Sequence, residues 1–261
     1  MKTWVVANQK GGVGKTTVAV TLAGWMVERG DSVLLVDMDP QCSLSAYLGF
    51  EPEKITASVY DLFTHPDHDP AEVIVKTRIE GIDLMPAIPA MATLDRQMGQ
   101  RSGQGLVLGR ALNHLRDRYG YVLVDCSPSL GVLMVNALGA ADRVLIPTQT
   151  EYMALRGLER MLRTLAMVNH SRASHLPFHI IATMFDKGTR SSIGALNDLR
   201  KQHGDELWKD VIPMDTQFRE ASRNGLPLPQ HLPQSRGAMA FKQLLEDVLA
   251  AELAQQDEEA A

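Results

Sequence analysis

Cysteine is nearly absent: the 261 residues include only Cys42 and Cys126. Two thiols so far apart build neither a disulfide scaffold nor a zinc site, which fits a reducing cytoplasm. Long hydrophobic runs are missing too, and no apolar stretch reaches the about 18 residues that a bilayer-spanning helix needs. The strand-like Trp4-Val5-Val6-Ala7 begins at once, without a charged segment and cleavage site before it, so no export signal is expected. Linker signals are equally scarce: there is no Gly/Ser run, no proline-rich tract and no internal repeat. Positive charge is not in excess either. A formal net charge of −5 and a pI of about 5.9 exclude a strongly basic nucleic-acid coat. A local basic patch stays open, because whole-chain charge averages over faces. With 45% hydrophobic residues the chain buries one large core or two small ones. The simplest expectation is one soluble, cytoplasmic α/β domain over residues 1–261.

What the chain does contain is short apolar runs alternating with helix-period segments, the pattern of βαβ units and a parallel sheet. Strands are expected at 3–7, 32–37, 82–86, 121–125, 143–147, 178–184 and 211–213. Helices are expected at 15–29, 105–119, 130–140, 154–168, 193–203 and 237–254. Most of the strands are continuously apolar, as a sheet covered by helices on both faces demands. Gly30 and Gly120 follow helical segments and stand just before strands, a common stop signal. Residues 50–80, broken by Pro52, Pro66 and Pro70, resist assignment. The fold class is therefore α/β, a central, mostly parallel twisted sheet with helices on both faces. Ligands of such sheets bind beyond the carboxyl ends of the strands.

At the end of the first strand stands Lys10-Gly11-Gly12-Val13-Gly14-Lys15-Thr16-Thr17. The general phosphate-loop pattern asks for Gly, four residues, then Gly-Lys-Ser/Thr. Gly14-Lys15-Thr16 fits, but Gln9 occupies the place of the leading glycine. Gly11, Gly12 and Gly14 permit backbone conformations closed to other residues, so successive N–H groups converge on phosphate oxygens. The helix beginning near Lys15 points its positive end at the same anion. In this pattern Lys15 reaches the β- and γ-phosphates of ATP, and the Thr16 hydroxyl ligates Mg²⁺. Lys10 is electrostatically redundant within one chain. It is either a solvated surface lysine or a residue that crosses a two-fold interface to a partner's nucleotide.

The loop, with Asp37-Met38-Asp39-Pro40-Gln41 and the run 121–128 ending Asp125-Cys126-Ser127-Pro128, resembles the deviant Walker-A ATPases of the ParA/MinD group. The resemblance runs along nearly the whole chain. It implies a P-loop NTPase fold, a slow MgATPase and an ATP sandwich homodimer in which Lys10 contacts the partner's phosphates. Asp37 and Asp39 end the second strand and Asp125 the fourth, so all three face the crevice of the loop. Mg²⁺ takes oxygen ligands and needs one or two carboxylates beside the phosphates. Asp125 is the Walker-B candidate. Asp37 either supports the Mg²⁺ shell or caps the following segment. Asp39 resembles the family's switch aspartate, which orients the attacking water. Met184 and Pro213 occupy places where the family lines its adenine pocket, although as plain sequence they read as strand ends. Cys126 reads as a small buried hydrophobe.

The family's branches differ in cargo. MinD-like members end in a basic amphipathic helix, whereas Ala254-Gln255-Gln256-Asp257-Glu258-Glu259 would be repelled by anionic lipid, so no membrane insertion is expected. The loop begins at residue 10, without room for the N-terminal operator-binding domain of large plasmid-type members. Cys42 and Cys126 do not match the paired cluster cysteines of iron-protein reductases. Small segregation members bind DNA non-specifically through scattered basic residues. Here Gln217 and Gly188 stand where such members carry arginine, while Arg190, Arg219, Arg223 and Arg236 are available. The stretches Thr148-Gln149-Thr150-Glu151, Leu155-Arg156-Gly157-Leu158-Glu159-Arg160 and Asp215-Thr216-Gln217-Phe218-Arg219 resemble the ParC subgroup, which places chemotaxis arrays at cell poles. That resemblance implies a polar cargo and a stimulating or adaptor protein. The alternative is chromosome or plasmid partitioning with ATP-dependent DNA binding on the nucleoid.

Overall fold

Continuous apolar runs fold as strands when both of their faces can be covered, and the structure, a computed structural model, covers them with two layers of helices. It describes residues 1–65, 67–94, 97, 106–172 and 174–260, the last helix with side chains to residue 255. In chain order the strands are β1 (Lys2–Val6), β2 (Val33–Met38), β3 (Val75–Lys76), β4 (Ile82–Met85), β5 (Tyr121–Cys126), β6 (Arg143–Gln149) and β7 (Phe178–Thr183). The helices are α1 (Lys15–Glu28), α2 (Ser43–Tyr47), α3 (Val59–Thr64), α4 (Val107–His114), α5 (Val132–Ala140), α6 (Tyr152–Ser171), α7 (Arg190–His203), α8 (Gln217–Arg223), α9 (Leu228–His231) and α10 (Arg236–Ala260). The strands form one seven-stranded sheet in the order β3-β4-β2-β5-β1-β6-β7, parallel except for β3.

Alternate residues of the same strand serve opposite layers, as the two-residue period of a strand requires. Val5, Leu34, Val36, Val124 and Ile146 pack with Leu112, Leu133, Leu158 and Met161 of α4, α5 and α6. Trp4, Val6, Leu35, Leu123 and Leu145 pack with Leu22 and Met26 of α1 and with Phe241, Leu244 and Val248 of α10. The last helix is pinned by polar contacts as well. The Trp4 indole N–H donates to Glu252 Oε1 at 2.7 Å. Buried Arg143 lies 3.5 Å from the same carboxylate, donates to Gln255 at 2.6 Å and stands 2.8 Å from His179 Nε2.

Strand order reverses on either side of β1, between β5 and β6. This switch point is where connections leave toward opposite layers and open a crevice at the carboxyl ends. The six expected strands from 3–7 to 178–184 are present, each within a residue or two of its expected limits. The expected strand at 211–213 is not. An isolated parallel bridge joins Phe185 to Pro213, made by Phe185 N–H donating to Ile212 O and Met214 N–H to Phe185 O, both at 3.0 Å. Helices α6, α7 and α10 run longer than expected, and α4 ends at His114, short of the expected 119; the expected start at residue 105 lies outside the described residues. Within the unassigned stretch 50–80 sits α3, opened by a capping box: Tyr60 N–H donates to Ser58 Oγ and Ser58 N–H to Asp61 at 2.8 Å. That Ser-x-x-Asp spacing is legible in the sequence.

Candidate nucleotide-binding site

The loop between β1 and α1 is built from both sides of the crevice. Asn8, fully buried, donates from its side chain to the Pro147 carbonyl at 2.8 Å and accepts the Lys10 N–H at 3.1 Å. Gln9 donates to Thr164 Oγ1 on α6 at 2.6 Å. The missing leading glycine is thus replaced by a side chain that ties the loop to a neighbouring helix. Thr183, ending β7, donates to the Val13 carbonyl at 2.9 Å. Gly12 and Gly14 adopt φ of 75° and 94°, the left-handed region that side chains disfavour.

Gly14 is also the N-cap of α1 and brings no side-chain cap. The free N–H groups of the first turn, including those of Thr16 and Thr17, therefore remain available to an anion. Lys15 is buried, and its Nζ donates to the Lys10 carbonyl at 3.3 Å. Burial lowers its pKa, while Asp125, Cys126 and Asp39 pull it back up. A phosphate seated here would replace that carbonyl with a stronger, charge-assisted acceptor. Gly11 and Gly12 lie exposed at the loop's tip.

The carboxylates sit one strand away. Asp37 and Asp125 are paired neighbours in the β2–β5 register. Thr16 Oγ1 donates to Asp125 Oδ2 at 2.5 Å. The other oxygen of Asp125 is buried with no hydrogen-bond partner among the described residues. Burial, aided by the nearby Asp37 charge, raises the Asp125 pKa to about 8 against the lowering effect of Thr16 and Lys15. A buried carboxylate with one free oxygen beside a threonine hydroxyl is what a hard divalent cation would satisfy. Among the described residues no group of three His, Cys, Asp or Glu side chains could hold a metal. The protein thus offers few ligands, which suits Mg²⁺, an ion that keeps waters and takes phosphate oxygens.

Asp37 behaves differently. Its Oδ2 accepts from Ser45 N–H at 2.8 Å and Ser45 Oγ at 2.7 Å, and its Oδ1 from Asp39 N–H at 3.1 Å. These bonds brace α2 and the segment leading to it. Burial raises its pKa to about 6. Asp39 in turn accepts the Gln41 N–H at 2.9 Å, which places its carboxylate at the start of that segment, near Lys15.

Met184 has φ of 53°, unusual for a residue with a side chain. Its methyl lies 3.9 Å from where a Cβ on Gly14 would stand. The bridge of Phe185 to Pro213 brings Met184 and Pro213 to the same edge of the crevice. Cys126 is buried, and burial pushes its thiol well above the usual range, so it is an inert wall residue. Neither Ser45, eight residues from its partner Asp37, nor Thr164, 155 residues from its partner Gln9, carries a motif that marks it in the sequence. Glu151, which in the sequence is only part of a subgroup motif, pairs with Lys10 at 2.6 Å.

A glycine loop ending in a buried lysine, with a Thr–Asp pair at the switch point of a parallel sheet, defines a P-loop NTPase. Comparison with known proteins narrows the class. A family model described as an AAA domain matches residues 1–178. The chain is 37% identical to the sporulation initiation inhibitor protein Soj of Bacillus subtilis over 94% of its length and 97% of that protein's. It is 35% identical to the chromosome partitioning protein ParA of Caulobacter vibrioides, over 97% of this chain and 95% of that one. A solved structure of cobyrinic acid a,c-diamide synthase from Mycobacterium smegmatis, with bound ATP analog and magnesium, superposes with a TM-score of 0.83 at 33% identity, covering 95% of this chain and 94% of the other. The chain belongs to the ParA/MinD family of P-loop ATPases. Among its described residues no helix is long and apolar enough to cross a membrane.

Proposed function

We propose that this chain, acting as one domain, is a weak, partner-stimulated MgATPase that forms an ATP sandwich homodimer and partitions DNA. The carrying observation is the second loop lysine. Lys15 is buried in its own loop, whereas Lys10 turns away over α6 to Glu151. One phosphate group has no need of both, so Lys10 serves the nucleotide of a second chain. Lys15 and the N–H groups of Gly11 to Thr17 hold the phosphates. Thr16 and Asp125 would hold Mg²⁺, which neutralises charge on the phosphate oxygens. Asp39 orients the attacking water, Asp37 holds the segment that carries Asp39, and Met184 and Pro213 flank the base.

Partitioning takes precedence over other cargoes because the ParA relative, similar along nearly the whole chain, is named for it. Arg190, Arg219, Arg223 and Arg236 are all exposed. Asp215 accepts from Gln217 N–H and Gly237 N–H, both at 3.0 Å, and so joins the starts of α8 and α10 that carry three of these arginines. A basic surface of this kind suits non-specific phosphate contacts and a nucleoid location in the cytoplasm. A second reading, positioning of chemotaxis arrays at a pole through an adaptor protein, is favoured by Gln217 and Gly188 at places where arginine is expected. The relatives named above lend that cargo no support.

The test uses Asp39→Ala and Lys15→Ala. The first should trap an ATP-bound dimer that retains plasmid DNA, and the second should abolish ATP binding. An Asp39→Ala chain that stays monomeric in saturating MgATP refutes the sandwich mechanism. A trapped dimer that ignores DNA, with polar foci of a fluorescent fusion, would transfer the assignment to array positioning. Intrinsic turnover near the ~1–100 per second of kinases would instead mark an enzyme acting on a small substrate.

A further inference from the structure

Arg78 stands on the turn between β3 and β4, and that turn is rigidly built. Thr77 Oγ1 donates to Ile82 O at 2.7 Å and accepts the Ile79 N–H at 3.1 Å. Ile82 N–H donates back to Ile79 O at 3.1 Å. Ile79 is buried with the residues that pack against α1 and α10, whereas Arg78 beside it is exposed. Helix α8 ends against the same turn. Gly225 N–H donates to Ser222 O at 3.0 Å and Leu226 N–H to Ala221 O at 3.1 Å, with Gly225 at φ 56°. This is the bonding of a helix stopped by a left-handed residue. The Tyr47 hydroxyl fixes that stop by donating to Leu226 O at 3.0 Å. A Cβ on Gly225 would collide with the Arg78 guanidinium and stand 2.9 Å from the Tyr47 carbonyl. The glycine thus both closes α8 and leaves room for Arg78, two residues beyond Arg223.

The neighbouring cations are already committed. Lys76 pairs with Asp83 at 2.8 Å, and Arg223 lies 3.7 Å from Glu220. Neither Glu80 of the same turn nor any other carboxylate among the described residues pairs with Arg78. A guanidinium carries five N–H donors and binds phosphate through charge-assisted hydrogen bonds. We propose that Arg78 is a DNA phosphate contact, so that the basic surface of α8 and α10 extends onto the β3–β4 turn. The inference rests on the reading that the ATP-bound chain binds DNA, and it adds a residue more than 100 positions before the other arginines of that surface. A contact to phosphate positions the duplex and carries no sequence preference. Each neutralised phosphate adds about 0.9 to the slope of log affinity against log salt. A dimer presents two copies of Arg78, so its removal lowers that slope by about 1 for each copy seated on the duplex.

Fluorescence anisotropy with a labelled DNA duplex, at saturating Mg²⁺ and a non-hydrolysable ATP analogue, measures affinity across a salt series. The chains compared are wild type, Arg78→Ala, Arg78→Lys and Arg116→Ala. Arg116 is exposed just beyond α4, in the helix layer opposite α8, so Arg116→Ala removes the same charge elsewhere. The expected result is a slope shallower by about 1–2 for Arg78→Ala, with wild-type slopes for Arg78→Lys and Arg116→Ala. Sedimentation velocity with the same analogue should give one monomer–dimer constant for all four chains, which separates a lost contact from a lost dimer. A wild-type slope for Arg78→Ala, or an equal loss for Arg116→Ala, overturns the contact and leaves DNA binding intact. A weaker Arg78→Ala dimer overturns it as well, by placing the defect in assembly. A wild-type chain that ignores the duplex removes the DNA reading itself, and this inference with it.

Discussion

Gly157→Ala sets two effects of known sign against each other. Gly157 lies in the interior of α6, where alanine is favoured over glycine by about 1 kcal/mol. The added methyl would stand 2.9 Å from Lys10 Cβ and 3.5 Å from Asn8 Oδ1. Carbon atoms pack best at about 3.5–4.0 Å, and Lys10 cannot swing aside freely because its N–H is bonded to Asn8. Overpacking of this kind costs about 1–3 kcal/mol. The net expectation is a destabilisation of roughly 0–2 kcal/mol. Gly194 in α7 supplies the control, since a Cβ there meets nothing within 4 Å. Gly194→Ala should therefore stabilise by up to about 1 kcal/mol. The gap between the two variants, about 1–3 kcal/mol, isolates the contact with Lys10. Urea denaturation measures both, and in thermal melts each 1 kcal/mol corresponds to about 2–4 °C for a chain of this size. Gly157→Ala should also displace Lys10 and weaken the ATP-dependent dimer in the same sedimentation assay. A Gly157→Ala chain as stable as Gly194→Ala, with normal dimerisation, would refute the close approach of α6 to the loop.

Two further outcomes are expected. Gly11 is exposed, and a Cβ there meets nothing within 4 Å; Gly11→Val should keep ATP binding and stability within about 0.5 kcal/mol while blocking the dimer, and a normal dimer would show that the loop tip is not an interface. His179 is held neutral, first by burial and then by Arg143, with its pKa lowered to about 4. Between about pH 6.5 and that value the unfolded chain takes up a proton that the native chain refuses, so stability is full above the window and falls as pH drops through it. The raised carboxyls of Asp37 and Asp125 act with the opposite sign. The difference between wild type and His179→Gln therefore isolates the histidine, and parallel stability–pH curves for the two would sink this account of the α10 anchor.

The sequence alone determined the parallel α/β sheet and the phosphate loop, because both are local. Continuous apolar runs such as 121–125 specify buried strands, and Gly12-Val13-Gly14-Lys15-Thr16 encodes its turn through residues that tolerate φ near 75° and 94°. Helix α3 lies in the stretch that resisted assignment, although its capping pair Ser58 and Asp61 stands in the sequence. The apolar run 211–213 reads as a strand, yet it forms only an isolated bridge at Pro213. Tertiary structure decided everything that depends on residues far apart in the chain. It showed why Gln9 can stand in a glycine's place, since Thr164 is its partner. It engaged both oxygens of Asp37 with Ser45 and Asp39, and it left one oxygen of Asp125 free beside Thr16. It laid Lys10 against Gly157 and Glu151 on α6, a helix more than 140 positions along the chain. Two lysines in one loop look alike in sequence. Only the packing of that distant helix separates the buried Lys15, enclosed by its own loop, from Lys10, whose ammonium reaches Glu151 at the helix start.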